Sequence, residues 1–563
     1  MTVSRTATWD WTPFEQPVPL SSSEEDFSDI SLPEIDPRPM HEEIVKIDER
    51  IKSLEEELEN LRIRRDQVLS DRALINRIPS EILSRIFELA AHEDPQLASY
   101  TSLVSRNWRT LSLETPQLWS YVRLDSTWYG NVNSLIRRIR VHMERTGAAK
   151  ISVDLDLRYC ETLDDARLLM SELKSHLNRC FSLRIRAQDW EWLAVAASAC
   201  AEGRINDSLE SVTLRVEPSD DGIPIPLLSG YFPRLEKVVL EQTALTSVFN
   251  NTQLPALRVL HIVRDSQHLH HHHSHDDQAR VCIRLRDYLN ALTCSEILED
   301  ARLQSITFNL DGKESLFSRT PIRIPVPMLT DMALSSVDGA NIALLFDAVS
   351  LPSLVRLAVQ INSTSSSSEA YSGGDPLGWL ARLTEAAHSG RLPLLRHFEL
   401  RSCPCLSDGS ALVALVRALH ALPRLEALGF ATPPGATLGE GLFEVLAGPG
   451  RTGDWLVPNL KVLSIGSGCR DVTGHEILRV VQARETAASA SRSYGGLDPG
   501  VDEVGFSPIS TSSLESVELR SVRRPVRLQM VRLAPCFALA PDVVEQLRVA
   551  LDELRIVLCE CRR

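Results

Sequence analysis

The sequence predicts an α/β protein in which a long amphipathic helix and a small helical bundle precede an irregular solenoid of alternating strands and helices. Apolar residues recur at alternating spacings of three and four over residues 40–70, which predicts the long helix. Residues 75–119 carry an Ile-Pro pair near their start and keep helical periodicity, which predicts the bundle. A short strand pattern then recurs with helical segments between its copies, which predicts the solenoid.

The composition excludes several classes of protein. The chain has 563 residues, too many for one core, and its 43% hydrophobic and 24% charged residues are typical of folded proteins. A formal net charge of −15 gives no electrostatic footprint for binding nucleic acid or an acidic membrane surface. Because there is neither a long apolar run nor a secretory signal pattern, we expect a protein of the cytoplasm or nucleus.

Neither a metal site nor a catalytic motif is predicted. The 11 cysteines are scattered and odd in number, which favours reduced thiols. The close pairs Cys403 with Cys405 and Cys559 with Cys561 lack the two-residue gap of zinc knuckles, and nothing fixes ligand geometry in the His tract at 268–277. Since nucleophile-elbow, phosphate-loop and HExxH motifs are missing, we expect no cofactor and no enzymatic activity.

Composition and periodicity together divide the chain into four segments. Residues 1–39 are rich in Ser, Pro and acidic residues, which predicts a disordered leader. An amphipathic helix follows at 40–70 and a helical block at 71–125. The solenoid occupies 130–563, with mobile loops expected near 264–280, 361–375 and 486–510.

Residues 40–70 carry a heptad seam flanked by Glu, Arg and Lys, with Arg65 at one seam position. The apolar seam residues are Ile44, Ile47, Ile51, Leu54, Leu58, Leu61 and Val68. Two ways of covering this seam remain open. One is self-association as a coiled coil through Ile44, Ile51, Leu54, Leu58 and Leu61, and the other is packing onto the following helical block.

The strand pattern consists of an apolar residue, a two-residue gap, a second apolar residue, a one-residue gap and a third, as in Leu235, Val238 and Leu240. Its copies lie at 208–216, 232–241, 254–263, 351–360, 392–401, 422–431, 457–466 and 512–521. Helical periodicity is found between them at 340–349, 376–388, 411–422 and 474–484. No single strand and helix can bury its own apolar face, so neighbouring units must supply the core.

This alternation resembles the leucine-rich repeat, although the closing Asn or Cys of tidy repeats is mostly missing and the period varies from 22 to 54 residues. Repeats of this kind present an extended surface for a protein ligand. Side chains within and just after the strand pattern are candidates for that substrate-binding surface: Thr213, Arg215, His261, Gln360, Glu399, Arg401, Glu518 and Arg520.

The helical block carries a second resemblance. Its order of Ile-Pro-x-Glu-Ile-Leu-x-x-Ile-Phe and then Leu-Val-Ser-Arg-x-Trp-Arg resembles the F-box over residues 72–123, and TPQLWSYV resembles the continuation found in fungal members. Ile78 replaces the usual Leu before the Pro, and Ser105 replaces a frequent Cys. The resemblance implies docking onto a Skp-type adaptor, with contacts from Ile78, Pro79, Ile82, Leu83, Ile86, Phe87, Leu103, Val104 and Trp108.

Two alternatives accompany this resemblance. Trp108 and Leu111 can instead hold the helical module together, and the whole apolar set can be the internal core of a bundle with the preceding helix. As a function, the resemblance implies substrate recognition for an SCF-type ubiquitin ligase, connected through the Skp-type adaptor to a cullin. One alternative function is a non-catalytic leucine-rich-repeat scaffold, dimerised through the heptad helix, that assembles no ligase, and a second is an F-box protein that works outside a ligase.

Overall fold

A computed structural model describes most of the chain between Pro37 and Ile556. Apart from isolated residues, the described ranges are 37–72, 74–94, 96–124, 132–216, 228–243, 252–264, 282–309, 323–361, 378–401, 409–432, 438–450, 453–466, 472–494, 525–533 and 541–556. The chain divides into two compact units, Met1–Leu83 and Ser84–Arg563. The leader predicted at 1–39 lies almost wholly outside the described residues.

The first unit is dominated by one long helix, α1 (Pro37–Arg72), followed by a 3-10 turn at Leu74–Arg77. Helix formers fill its interior without a Gly or Pro after the first turn, so the backbone hydrogen bonds continue unbroken. The apolar seam from Ile44 to Val68 is exposed along its whole length in the single chain.

Three shorter helices follow: α2 (Ser80–Glu93), α3 (Leu97–Val104) and α4 (Arg106–Glu114). The division between the units falls within α2. Pro79 stands just before α2, where a missing N–H costs little. Ser105 begins α4, because its side chain accepts a hydrogen bond from the backbone N–H of Trp108 at 3.2 Å. Pro116 begins a 3-10 turn at Pro116–Trp119.

The second unit contains a sheet of fourteen parallel strands whose spatial order follows the chain. The strands are β1 (Tyr121–Leu124), β2 (Ile151–Asp156), β3 (Cys180–Ala187), β4 (Ser211–Val216), β5 (Lys237–Glu241), β6 (Val259–Val263), β7 (Asp300–Gln304), β8 (Asp331–Val337), β9 (Arg356–Ile361), β10 (His397–Arg401), β11 (Ala427–Ala431), β12 (Val462–Ile465), β13 (Met530–Leu533) and β14 (Glu553–Ile556). Among the described residues, three short parallel pairs lie outside this sheet: Gly230–Tyr231 with Thr252–Gln253, Cys282–Arg284 with Thr307–Asn309, and Ile324–Pro325 with Val349–Ser350.

The apolar residues of the strand pattern align across the sheet. At β5 the buried triad is Leu235, two residues before the strand, with Val238 and Leu240 on it, and the register places Val238 opposite Leu260 and Leu240 opposite Ile262 of β6. The same two rows continue through the neighbouring strands to β13. Because alternate residues of a strand point to opposite faces, the triads build one continuous apolar face.

Helices cover this apolar face. They are α5 (Val132–Thr146), α6 (Leu163–Lys174), α7 (Trp190–Glu202), α8 (Leu285–Thr293), α9 (Gly339–Ala348), α10 (Gly378–His388), α11 (Gly409–His420), α12 (Glu440–Ala447), α13 (His475–Tyr494) and α14 (Pro541–Ala550). Successive helices contact each other, as α9 contacts α10 and α13 contacts α14. Mixed helix and strand content around a large parallel sheet is an α/β fold, as the sequence predicted.

The structure differs from the sequence prediction in three places. The sheet already begins at β1, inside the block assigned to the helical bundle, and it includes β2, β3, β7, β8, β13 and β14, which were not predicted. Helix α13 continues to Tyr494, into the loop predicted near 486–510, because its Ala-rich end favours helix. The strand predicted at 512–521 lies outside the described residues.

Candidate protein-interaction surfaces

Helix α2 carries two apolar stripes. Leu83, Phe87 and Ala91, spaced four residues apart, are buried. Ile82 and Ile86, also four apart, are exposed, as is Leu89. We call Leu83, Phe87 and Ala91 the inner stripe and Ile82, Ile86 and Leu89 the outer stripe. A helix that only completes a core needs one apolar stripe, so the outer stripe is surface that a partner can bury.

The inner side of the bundle is fixed by aromatic and polar contacts. The rings of Phe87 and Trp108 lie 4.7 Å apart between centroids. Trp119 Nε1 donates to the carbonyl oxygen of Ser112 at 2.7 Å, and Ser112 Oγ donates to Thr101 Oγ1 at 3.0 Å. These contacts join α2 to α4 and α3 to α4 without using the outer stripe.

The end of α3 is the most exposed apolar part of this region. Leu103 is 78% exposed, and its neighbours Val104 and Tyr100 are also exposed. Transfer of apolar surface into an interface is favourable by roughly 25 cal/mol per Å², so such side chains at the end of a short helix favour a bound state. The helix itself is held from its other face, where Ala98 and Thr101 are buried.

The predicted adaptor-binding residues therefore separate into three groups by exposure. Pro79, Ile82, Ile86, Leu103 and Val104 are exposed, Ile78 and Trp108 are half-buried, and Leu83 and Phe87 are buried. Leu111, the residue assigned with Trp108 to the module itself, is half-buried. Sequence reasoning missed Leu89, Tyr100 and Leu113, which are exposed; helical spacing from Ile86 and Val104 would have indicated the first two.

The second candidate surface is the open face of the sheet, opposite the helices. Its side chains form rows in register, and the middle row of β6 to β13 is His261, Arg302, Ala333, Ala358, Glu399, Gly429, Ser464 and Arg532. Small side chains predominate in the centre of this row. At Gly429 an added Cβ would lie 3.0 Å from Glu399 Cγ, so the glycine leaves room for that neighbouring side chain.

These strands line a cleft with a volume of about 940 Å³. Its walls are charged on both sides of the small central residues. His261 Nε2 lies 3.1 Å from Asp300 Oδ2, and Arg302 also contacts Asp300 at 3.1 Å. Arg356 Nε lies 2.6 Å from Asp331 Oδ1 on the neighbouring strand.

Arg401 contacts Glu399 at 2.8 and 3.0 Å through two nitrogens, and this bond raises the pKa of Arg401. Burial raises the pKa of Asp300, but the hydrogen bonds from His261 and Arg302 outweigh burial, and the net shift is downward. Burial, followed by the charge of Arg356, lowers the pKa of His397. The cleft thus presents paired charges beside the small side chains of Ala333 and Ala358 and beside Gly429.

The candidate substrate-binding residues are partly brought together. His261, Gln360, Glu399 and Arg401 line the cleft. Thr213 and Arg215 lie on β4 outside it, and Thr213 is buried. Glu518 and Arg520 lie outside the described residues. Sequence reasoning missed Asp300, Arg302, Asp331, Arg356 and Arg532, although Asp300 and Asp331 stand one residue before the second apolar position of their strands.

Comparisons with known proteins find a match in the region that carries the first surface. Residues 75–125 match the family model described as F-box-like. No curated protein matches the sequence. A solved structure of a protein from Bacteroides fragilis, a structural-genomics target, is 10% identical over 75% of this chain and 77% of that chain, with a TM-score of 0.29, which carries no argument about function.

An F-box-like domain at residues 75–125 indicates a protein-interaction adaptor. Within the described ranges, no group of three or more His, Cys, Asp or Glu side chains is placed to hold a metal ion. No helix in the same ranges has the length and apolar character required to cross a membrane.

Proposed function

We propose that this protein is a non-enzymatic substrate-recognition adaptor of an SCF-type ubiquitin ligase, acting in the cytoplasm or nucleus. The F-box-like domain docks onto a Skp-type adaptor and, through it, a cullin ligase. The open face of the sheet binds the protein substrate, and ubiquitin transfer takes place on the partner subunits. The observation that carries this proposal is the exposed apolar surface on α2 and α3 within the residues that match the F-box-like model.

The outer stripe supports docking for a physical reason. Ile86 of the outer stripe and Leu103 of α3 are exposed although Phe87 and Trp108 pack closely on the inner side, so neither is needed for folding the bundle. Central apolar residues carry most of the binding energy of a protein interface, and a charge placed there is buried unpaired. The outer stripe is therefore where a single charged substitution should abolish docking while the bundle stays folded.

The substrate-binding part of the proposal includes a leucine-rich-repeat-like solenoid. Its support is the chain-ordered parallel sheet, the repeated apolar triads and the helices that follow the strands in sequence. In a solenoid each unit contacts only its neighbours, and the strands form one extended surface. The cleft of about 940 Å³ lies on this surface and is lined by paired charges that vary from strand to strand.

Calorimetric titration of the full-length protein with a Skp-type adaptor tests the docking step. We expect Leu103→Glu and Ile86→Glu each to weaken binding at least about a hundredfold, the effect of a central interface residue. Val549→Glu on α14 is the matched control, because Val549 is 79% exposed and Leu103 is 78% exposed. The control should bind as the wild type does, and circular dichroism should show that all three variants are folded.

Absence of adaptor binding by the folded wild type would contradict the proposal. Equal loss in the Val549→Glu control would also contradict it, since a nonspecific charge effect would then explain the result.

A scaffold without ligase assembly is the second candidate function, and the exposed seam of α1 favours it. Self-association through Leu54 and Leu58 would bury this seam as a coiled coil. Sedimentation of the full chain should then show a dimer that Leu54→Lys with Leu58→Lys converts to a monomer, whereas Glu56→Lys, on the side of the helix opposite the seam, leaves it dimeric. Dimerisation without adaptor binding would favour the scaffold.

A further inference from the structure

The protein carries its positive charge almost entirely on arginine. The sequence has 53 arginines but only seven lysines, at positions 46, 52, 150, 174, 237, 313 and 461. Lysine is among the commonest residues of ordinary folded domains, so this ratio sets the chain apart. A protein that needed positive charge alone could use either residue.

The lysines are also unevenly distributed. Between Lys237 at the start of β5 and Lys461 just before β12, the sequence has one lysine, Lys313, which lies outside the described residues. The described parts of the chain from β6 to β11 thus carry no lysine. The cleft agrees with this distribution. Among the described residues that line it, those with a permanent positive charge are all arginines: Arg302, Arg356, Arg401 and Arg532.

Ion-pair geometry explains only part of this preference. A guanidinium group can bind a carboxylate through two nitrogens, as Arg401 does with Glu399. Arg356, however, is 66% exposed although its Nε lies 2.6 Å from Asp331 Oδ1, and Arg479 stands at an exposed position of α13. At such solvated positions a lysine would serve equally well, because exposed ion pairs add little stability and both residues favour helix.

Lysine and arginine differ in the reaction that a ubiquitin ligase promotes. The Nζ atom of a lysine, as the neutral amine, attacks the carbonyl carbon of a ubiquitin thioester. An isopeptide bond forms, the carbon–sulfur bond breaks, the cysteine of the conjugating enzyme leaves as a thiolate, and one proton of the amine passes to water. A guanidinium group stays protonated, so it cannot make this attack.

We propose that the wall of the cleft is spared ubiquitin transfer because its permanent positive charges are arginines, and that a lysine of the bound protein ligand is the acceptor. This inference deepens the proposed function, on which it rests for the assembly of the ligase. A ligand held in the cleft brings its own amines to a surface whose described residues include no competing lysine. The recognition subunit therefore persists while its ligand is modified.

Self-ubiquitylation in a reconstituted ligase tests the proposal. The full-length protein is combined with a Skp-type adaptor and a cullin ligase core, and a conjugating enzyme charged with ubiquitin is added without any ligand. Mass spectrometry then maps ubiquitin to individual residues of this chain. Formation of free ubiquitin chains in each reaction shows that the ligase is active.

Two variants change the amines of the cleft. Arg356→Lys with Arg401→Lys places two amines at positions whose side chains are 66% and 53% exposed. We expect ubiquitin conjugates at both positions and more total self-conjugate than in the wild type. Arg356→Gln with Arg401→Gln is the matched control, because it removes the same charges without adding an amine. Its self-conjugate should equal that of the wild type, and circular dichroism should show that both variants are folded.

Any of three results would overturn the proposal: no conjugate at either substituted position, no more total self-conjugate than in the wild type, or an equal rise in the glutamine control. If a double variant loses its circular dichroism signal, the single substitution at Arg356 takes its place. Co-elution of the wild type with the adaptor separates the two possible failures. Without co-elution the proposed function fails and this inference with it, whereas an active co-eluting ligase that gives one of the three results leaves only this inference overturned.

Discussion

The two faces of the large sheet differ in how much their side chains vary along the chain. On the helix-covered face, apolar residues repeat from strand to strand, as Phe398 and Leu400 of β10 align with Leu428 and Phe430 of β11. On the open face the side chains change at nearly every strand. The repeated face therefore supplies the stability of the array, and the variable face is available to distinguish ligands.

The open face is itself divided. In its first strands, Arg123, Arg184 and Arg186 lie around one carboxylate, that of Asp154. Further along, the cleft holds ion pairs such as Arg356 with Asp331 and Arg401 with Glu399. Charges fixed in position favour specificity more than raw affinity, so both parts of the open face are available to select a ligand.

Phe398→Ala gives the largest expected effect. Phe398 is buried on the repeated face and packs against Trp379, with 6.5 Å between ring centroids. Removing a buried phenyl ring leaves a cavity and should lower the free energy of unfolding by about 3–5 kcal/mol. Glu399→Ala, the next residue but on the open face, should change it by less than about 1 kcal/mol. Urea denaturation measures both, and equal losses would contradict the contrast between the faces.

Arg484→Met tests a charged group on the covered side. Arg484 of α13 is fully buried and donates hydrogen bonds to the carbonyl oxygens of Leu446 at 3.2 Å and Val457 at 3.1 Å, and also to that of Leu456. Burial lowers its pKa to about 10. Methionine keeps the apolar bulk but leaves these carbonyl oxygens without donors, so we expect a loss of about 3 kcal/mol in unfolding free energy.

The control for this variant is Arg479→Met, on an exposed position of the same helix. It should change the free energy of unfolding by less than about 0.5 kcal/mol. If Arg484→Met proved equally mild, the carbonyl oxygens would have other donors in solution, and the buried guanidinium would not hold the loop at Leu456.

Much of the repeated face could be predicted from sequence, because apolar residues spaced three and then two positions apart can be recognised in each strand separately. Strand β8 has this spacing at Leu329, Met332 and Leu334 and was missed, as was β7, whose middle apolar residue is only Ala301. The open face could not be predicted in the same way. Whether Arg356 contacts Asp331 depends on the register between two strands. That register cannot be read from the sequence of either strand alone.

The F-box-like region shows the same limit. Helical spacing places the apolar residues of α2 on one broad face but does not show which of them the bundle covers. Leu83, which is buried, and Ile86, which is exposed, were therefore both predicted to contact the adaptor. The difference between them depends on where α4 places Trp108 against Phe87. Tertiary contacts of this kind cannot be derived from the periodicity of a single helix.

His142 makes the stability of the second unit depend on pH. The side chain is buried in α5, its ring lies 5.1 Å from Trp119, and burial followed by the charge of Arg138 lowers its pKa from 6.5 to about 4. The folded state therefore binds its proton less readily than the unfolded chain does. The stability is complete above about pH 6.5 and falls as the pH drops towards 4, by up to about 3 kcal/mol.

Urea denaturation between pH 7.5 and pH 4, with wild type and His142→Phe, measures this contribution. The variant removes the titrating group but keeps a ring, so its unfolding free energy should fall less steeply over that range. Identical slopes would show that His142 does not titrate differently in the folded and unfolded states, and the acid sensitivity would then belong to carboxylates.

Arg356→Gln gives the smallest expected effect on stability and the sharpest test of the open face. Its Nε lies 2.6 Å from Asp331 on the adjacent strand, but the side chain is 66% exposed, so solvent screens the pair. The change in unfolding free energy should stay below about 1 kcal/mol, and adaptor binding should be unchanged. A loss as large as that of Phe398→Ala would mean that the open face holds the sheet together, and then its variation could not be ascribed to ligand recognition.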